Sequence, residues 1–187
     1  MGKDIGTIQV TDLEGKGPYI YKAHHLHMHS PAEHKFNGVH HDLEMHIVHE
    51  LVGGVNDDDW ENYKLNLAVV GILFKKAEVS HPFVEKMRVT DMGNIESIHF
   101  SELFNTLEHQ RRNLDEINDL ECFHYQGSLT TPPMTDIVNW NVYRHVLPIS
   151  EKHLNELIAQ WNPHVGGHCN FREVQPLYGR RVVRNFQ

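Results

Sequence analysis

Histidine is concentrated in one stretch of this chain. The 187 residues include 17 histidines, and nine of these lie between His24 and His49. In a β-strand, side chains two positions apart point to the same side of the sheet, so His27 and His29 would project together from a rigid support. The adjacent residues His24 and His25 would point to opposite faces. The spacing therefore predicts an extended strand here, with two imidazoles placed as metal ligands on one face.

A second segment places a carboxylate and an imidazole at the same two-residue spacing. Glu44 and His46 would share one face of a strand, and if that strand pairs with the first, three imidazoles converge. Three histidines leave the fourth tetrahedral position of a zinc ion open, as catalytic zinc sites require, and imidazole nitrogen suits zinc. We therefore predict that His27, His29 and His46 bind Zn²⁺. His25 lies on the same strand face and is the alternative ligand.

Alternating and apolar runs predict a mainly β protein. Five segments have the period-two alternation or the continuous apolar character of strands, namely residues 20–29, 42–50, 65–74, 120–125 and 136–145. One helix is indicated where Ser150 can cap an amphipathic segment that Pro163 would end. A weaker helix is predicted to begin at Ser101, with Leu103, Phe104 and Leu107 facing inward.

Composition limits the classes of function. With 40% hydrophobic residues, a chain of this length suffices for a single domain over residues 1–187 and is too short for two ordinary ones. The net charge of −8 argues against nucleic acid as a partner, since basic residues form no patch longer than pairs such as Lys75-Lys76. No stretch approaches the roughly 20 apolar residues of a membrane span, and the first residues lack the apolar core of a signal peptide. An intracellular protein is therefore expected.

Three separated motifs carry a family resemblance. The first joins residues 26–34, LHMHSPAEH, to residues 43–49, LEMHIVH. The second is residues 125–133, YQGSLTTPP, followed by Trp140, and the third lies within residues 170–180. In this order they resemble the zinc-binding segment, the active-site loop and the C-terminal segment of the alpha-class, or eukaryotic-type, carbonic anhydrases. Together the motifs cover nearly the whole chain.

The resemblance implies both a fold and an activity. The fold would be a twisted, mostly antiparallel sheet with a few short surface helices, and the activity would be zinc-dependent, reversible hydration of carbon dioxide to bicarbonate. The zinc ligands would be His27, His29 and His46. Glu44 would accept a hydrogen bond from a ligand ring, and His25 would lie beside the ligands without coordinating the metal.

The same resemblance implies which residues meet the reactants. Thr130 and Glu33 correspond to the pair that orients the attacking oxygen at the zinc. Carbon dioxide is apolar, so its binding needs an apolar, water-excluding surface and no charged side chains. The apolar surface of the family's substrate pocket corresponds to Val48, Val69, Leu129 and Trp140, and Thr131 would lie at the mouth of the pocket.

The chain departs from the family near its N-terminus. Gly6 stands where many members carry a histidine that transfers protons to bulk water, so no imidazole is available there. A substantial N-terminal part of the family domain, including aromatic residues that pack under the site, has no counterpart. The resemblance therefore describes an N-terminally truncated member, in which another segment or a partner chain would cover the missing region.

Two alternatives stand beside this interpretation. A non-catalytic carbonic anhydrase-like subunit, acting in assembly or binding within a larger complex, is favoured by the missing N-terminal part and disfavoured because no zinc histidine is lost. A cupin-type metal protein is suggested by His27-x-His29 followed by Glu33. Tyr21 and His40 stand where the cupin motif needs glycine, which argues against it.

Overall fold

Strands make up most of the regular structure. The computed structural model describes residues 6–55, 59–87, 101–104, 120–161 and 169–187. The strands in chain order are β1 (Thr7–Val10), β2 (Tyr19–His29), β3 (Lys35–Phe36), β4 (Val39–His40), β5 (Leu43–Gly54), β6 (Leu67–Ala77), β7 (Cys122–Gly127), β8 (Val138–Tyr143), β9 (Leu147–Ser150) and β10 (Val183–Arg184).

The helices of the described residues are short. A single 3-10 turn spans Trp60–Asn62, and the α-helices are α1 (Pro82–Met87), α2 (Ser101–Phe104) and α3 (Glu151–Trp161). Ser150 caps α3 as predicted, because its Oγ accepts a hydrogen bond from the His153 N–H at 3.3 Å. In the described part of the chain, no helix has the length and apolar character needed to cross a membrane.

One curved sheet carries nearly all the strands. Its order is β1-β2-β5-β6-β8-β7-β10, with β9 also beside β6, and β3 pairs with β4 in a separate ladder. The pairings are antiparallel except those of β6 with β8 and with β9, which are parallel. The predicted mainly β, mostly antiparallel architecture is therefore confirmed.

The two faces of the sheet have different roles. On one face, Ile47 and Ile72 pack in a large apolar cluster with Leu154 of α3. Full burial of such a side chain contributes about 1.5–3 kcal/mol. On the other face, Val48 and Trp140 belong to a second, smaller apolar cluster. The first face of the sheet is thus covered by the large apolar core and helix α3, and the second face carries the polar groups described below.

The sequence predicted the central strands better than the peripheral elements. Strand β2 begins one residue earlier than predicted and ends where predicted, and β5 continues to Gly54. The short strand β9 and helix α1 were not predicted. Helix α2 begins at Ser101 as predicted and buries Leu103. Leu107 and Pro163, named above for the two helices, lie outside the described residues.

Candidate metal centre

Pairing between β2 and β5 assembles the histidines. His27 lies directly opposite His46, and His29 lies opposite Glu44. Because alternate residues of a strand share a face, all four side chains project from the same side of the sheet. His29, His46 and Glu44 are buried, and His27 is half-buried. The strand register therefore brings the three predicted ligands together.

The three imidazoles could hold one metal ion. One ring nitrogen from each of His27, His29 and His46 lies within 4.8 Å of the other two. His46 Nδ1 and His27 Nε2 are 3.3 Å apart. Two nitrogens bound to a tetrahedral zinc at about 2.0–2.1 Å would be about 3.3–3.4 Å apart. The separation therefore fits a shared ion.

His29 keeps one ring nitrogen available. Its Nδ1–H donates to the carbonyl oxygen of Asn170 at 2.5 Å, which leaves Nε2 as the unprotonated nitrogen. That Nε2 atom is buried and has no hydrogen-bond partner among the described residues. An unsatisfied buried polar atom costs about 1–3 kcal/mol, and a bound metal ion would satisfy this one. The orphaned nitrogen is thus a second observation that fits a metal.

Glu44 fixes the orientation of the His46 ring. His46 Nε2–H donates to Glu44 Oε1 at 2.8 Å, so that Nδ1 faces the other ligands. The same carboxylate accepts the His34 ring N–H at 2.6 Å and the His34 backbone N–H at 2.8 Å. His34, Glu44 and His46 also lie close enough to hold a metal. Hydrogen bonds already join their facing atoms, so we interpret this second group as a support for the first.

Burial favours the neutral rings that metal binding requires. Burial, reinforced by the charges of His46 and His29, lowers the pKa of His27 to about 3. The pKa of His29 is also lowered, first by burial and then by His46. Burial alone would raise the pKa of Glu44, but His34 and His46 outweigh it and hold that pKa well below its usual value. Burial thus favours the neutral forms of His27 and His29, close to an ionised Glu44.

His25 lies beside the ligand group and is not part of it. The register between β2 and β5 shifts between Ala23 and His25, which makes His24 the extra residue of a β-bulge. The bulge turns both side chains to one side, with their Nδ1 atoms 2.8 Å apart. The prediction that His24 and His25 point to opposite faces is therefore wrong. The His25 ring stacks on His27 with 5.3 Å between centroids.

Glu33 and Thr130 line the wall of one cavity. Glu33 is buried, and its Oε1 accepts the backbone N–H of Arg172 at 2.7 Å. Its Oε2 lies 4.0 Å from His46 Nδ1 and has no hydrogen-bond partner among the described residues. The structure therefore places Glu33 next to the ligand group, and no hydrogen bond joins Glu33 to Thr130.

The predicted apolar wall is one contiguous cluster. Val48, Val69 and Trp140 are buried together, and Leu129 packs against them. The Trp140 ring meets the His46 ring edge-on at 4.8 Å between centroids, so the cluster adjoins the ligand group. Thr131 is exposed. The structure thus brings four of the five predicted pocket residues together beside the imidazoles.

Two residues of the centre were not assigned a role from sequence. Asn170 holds the strand end that carries His29, because its Oδ1 accepts the Ser30 N–H and its Nδ2–H donates to the Met28 carbonyl oxygen. Tyr125 Oη is 2.6 Å from His34 Nε2 and extends the Glu44 network. Both residues lie inside the motifs quoted above, which is the signal that could have identified them.

A buried histidine next to the centre makes stability depend on pH. Burial lowers the pKa of His49 to about 4, against the opposing effect of its bonds to the Ala68 and Ile47 carbonyl oxygens. The unfolded value is about 6.5, so between these limits the unfolded chain binds a proton that the folded chain does not. The free energy of unfolding of the metal-free protein should therefore fall as pH is lowered from about 6.5 to 4, by up to about 1.4 kcal/mol per pH unit from this group.

The test is urea denaturation of the metal-free protein across that pH range. His49→Gln keeps a hydrogen-bond donor and removes the titration, so its unfolding free energy should vary less steeply with pH than that of the wild type. Identical slopes for the two proteins would show that His49 does not contribute.

A buried three-histidine group on an antiparallel sheet, backed by a carboxylate, is the arrangement that the sequence motifs imply. The eukaryotic-type carbonic anhydrase family matches residues 3–186. The chain therefore belongs to this family.

Individual relatives agree with this assignment. Alpha carbonic anhydrase 3 of Arabidopsis thaliana is 31% identical over 98% of the chain and 58% of its own length. Among solved structures, dioscorin complexed with ascorbate aligns with a TM-score of 0.69 at 25% identity, over 98% of this chain and 67% of that one. The alpha-carbonic anhydrase of Thermovibrio ammonificans, complexed with the inhibitor sulfanilamide, aligns with a TM-score of 0.61 at 27% identity, over 96% and 71%. The chain thus spans a little over half the length of the curated relative it matches.

Proposed function

We propose that this protein binds one zinc ion through His27, His29 and His46 and catalyses the reversible hydration of carbon dioxide to bicarbonate. The observation that carries the proposal is the convergence of three imidazoles, one of which has a buried ring nitrogen, His29 Nε2, without a hydrogen-bond partner among the described residues. When bound, zinc lowers the pKa of a water molecule to about 7 and so provides a nucleophile at neutral pH.

The polar residues around the ligands would orient them. The Asn170 carbonyl oxygen and the Glu44 carboxylate each accept a ring N–H from one ligand, which fixes the tautomers of His29 and His46. Loss of such a partner typically costs about 10- to 100-fold in metal affinity or activity. These contacts support neutral, correctly rotated imidazoles as the first requirement of the reaction.

Thr130 and Glu33 would direct the attacking oxygen. Glu33 is anchored through Oε1, and its Oε2 has no hydrogen-bond partner among the described residues, so this atom can accept a hydrogen bond from the Thr130 hydroxyl. Thr130 Oγ would then accept a hydrogen bond from the attacking oxygen. This bond would orient the attacking oxygen so that one of its own lone pairs faces the substrate carbon. The proposed role of the pair is thus positioning.

The apolar cluster would bind the substrate. Carbon dioxide carries no charge, so charged side chains would not hold it. An apolar surface beside the ligand group is formed by Val48, Val69, Leu129 and Trp140. A water-excluding wall also strengthens the electrostatic interactions of the centre. Product bicarbonate is charged and would be held poorly by this surface, which favours its release.

Proton release should limit turnover if the chain is active. A well-placed general base contributes roughly 10²- to 10⁴-fold, and Gly6 offers none at the position where many family members have histidine. Raising the concentration of an imidazole buffer should therefore increase kcat and leave kcat/KM for carbon dioxide nearly unchanged, since kcat/KM reports only the steps through hydration. Stopped-flow kinetics at several buffer concentrations measure both.

A substitution of Gly6 in this experiment needs a control for backbone strain. Its φ is +110°, a region that side chains of L-residues rarely adopt, although the space around the position is open. Gly6→His should reduce the buffer dependence relative to Gly6→Ala, which carries the same backbone strain. A wild-type kcat that is high and indifferent to buffer would contradict the prediction, and the exposed pair His24 and His25 would then be the first residues to substitute.

A binding role without catalysis is the second candidate function. It is favoured by the similarity to dioscorin, whose solved structure is described as a complex with ascorbate. Zinc content and the hydration rate separate the candidates, because a non-catalytic module would show no turnover even when loaded with zinc.

A further inference from the structure

A cavity of about 450 Å³ lies on the same face of the sheet as the imidazoles. Tyr125 pairs with Trp140 across β7 and β8, and Phe123 pairs with Val142, so these side chains share the face that the Trp140 ring shares with His46. The cavity extends from there towards the sheet edge at β10. Its size is within the range of about 300–1,000 Å³ that is usual for ligand pockets.

Most of the wall area of the cavity is apolar, and part of this apolar surface is exposed to solvent. Phe36, Phe123 and Val142 form its inner surface. Its rim includes Val174, Leu177 and Val182, which are 46%, 56% and 47% exposed. Adjacent exposed apolar side chains around a concave surface are typical of an interaction site. The apolar surface therefore extends beyond the cavity itself, along the segment from residue 174 to residue 182.

Three cations surround this apolar surface, namely Lys35, Arg172 and Arg180. In the part of the chain that the structure describes, no carboxylate lies within 4.0 Å of their charged nitrogens. The Arg180 Nε–H and Nη2–H donate to the carbonyl oxygens of Leu177 and Pro176, and its guanidinium lies 5.6 Å from the Tyr125 ring centroid. These cations outnumber the two carboxylates of the lining, Glu33 and Glu173, and in a chain with a net charge of −8 such an excess of positive charge favours an acidic occupant.

Each of two short strands beside the cavity has one edge without a neighbouring strand among the described residues. Strand β3 pairs only with β4, and β10 pairs only with β7, among the described residues. Lys35 and Phe36 of β3 line the cavity, and so does Val182, which precedes β10. Unpaired backbone N–H and C=O groups at a strand edge are suited to an added extended segment. A small molecule would use neither the strand edges nor the full apolar rim.

We propose that this cavity binds an extended polypeptide segment of a partner chain, with an acidic side chain facing Arg180 and apolar side chains facing Phe36, Phe123 and Val142. Glu33 and Thr130 form part of the same wall. The occupant would therefore contact the pair that orients the attacking oxygen, and this last consequence rests on the proposed function. The binding itself does not depend on zinc.

A library of random 12-residue peptides displayed on phage tests the proposal, with the metal-free chain as the target. We expect enrichment of peptides that carry Asp or Glu between apolar residues. Affinities of the enriched peptides should fall roughly tenfold or more in Arg180→Gln, because a hydrogen bond to a charged group is lost. Leu177→Glu should weaken binding similarly, since it places a like charge on an exposed rim position.

Val79→Glu is the matched control, because Val79 is 70% exposed and does not line the cavity. It should bind the peptides as the wild type does. No enrichment, or enriched peptides that bind Leu177→Glu and Val79→Glu equally, would overturn the proposal. So would binding of benzoate, lost in Arg180→Gln, in the absence of any enriched peptide, because the cavity would then be a small-molecule site. Since the metal-free chain is used, failure of the zinc assignment does not affect the outcome.

Discussion

Replacing His46 with alanine should abolish stoichiometric zinc binding and, with it, the hydration of carbon dioxide. His46 is 1% exposed and its Nδ1 lies 3.3 Å from His27 Nε2, so neither water nor a neighbouring side chain can take its place without rearrangement. The loss of affinity should exceed the roughly 10- to 100-fold that removal of a supporting partner causes. Atomic emission of the dialysed variant and competition with a chromogenic chelator measure the effect.

The matched control is His49→Gln, which alters a buried histidine on the same strand outside the ligand group. This variant should retain one zinc per chain, and circular dichroism should show that both variants keep the strand content of the wild type. An unchanged zinc affinity in a folded His46→Ala variant would exclude His46 as a ligand.

Replacing Thr130 with valine should leave zinc bound and lower kcat/KM for carbon dioxide by about 10- to 100-fold. The shape of the side chain is kept, but the hydroxyl that would link Glu33 Oε2 to the attacking oxygen is removed. Glu33→Gln should behave similarly, since an amide cannot act as the ionised acceptor. Because the two residues act as one unit, the double variant should be little worse than either single variant.

Thr135→Val is the control for this series, because Thr135 is exposed in the same loop. Its kcat/KM should match the wild type within error. Loss of zinc from Thr130→Val would show that Thr130 supports the centre structurally, and equal rates for Thr130→Val and the wild type would exclude the positioning role.

Local periodicity explains how much of the centre could be predicted. Strand β2 and the start of β5 followed from alternation alone, and the two-residue spacing of His27 and His29 fixed their common face. Their partner His46 could be added once the two strands were assumed to pair. These features depend on residues within one strand or in neighbouring strands, which is the range that a sequence pattern can describe.

The features that were not predicted depend on contacts between distant parts of the chain. Asn170 lies 141 positions from His29 and yet fixes its ring nitrogen, and no periodicity connects two such residues. The parallel pairing of β6 with β8 likewise joins residues that are far apart in the sequence. The bulge at His24 is local, but it arises from a register shift against β5 that one strand alone does not encode. Tertiary pairing therefore decides the details that strand propensity leaves open.

The most direct test of the central proposal is stopped-flow measurement of carbon dioxide hydration by the purified chain, with its zinc content determined on the same sample. We predict one zinc per chain, turnover above the uncatalysed rate, loss of turnover after treatment with dipicolinate, and recovery when zinc is returned. A chain that takes up no zinc, or a fully zinc-loaded chain that hydrates carbon dioxide no faster than buffer alone, would contradict the account.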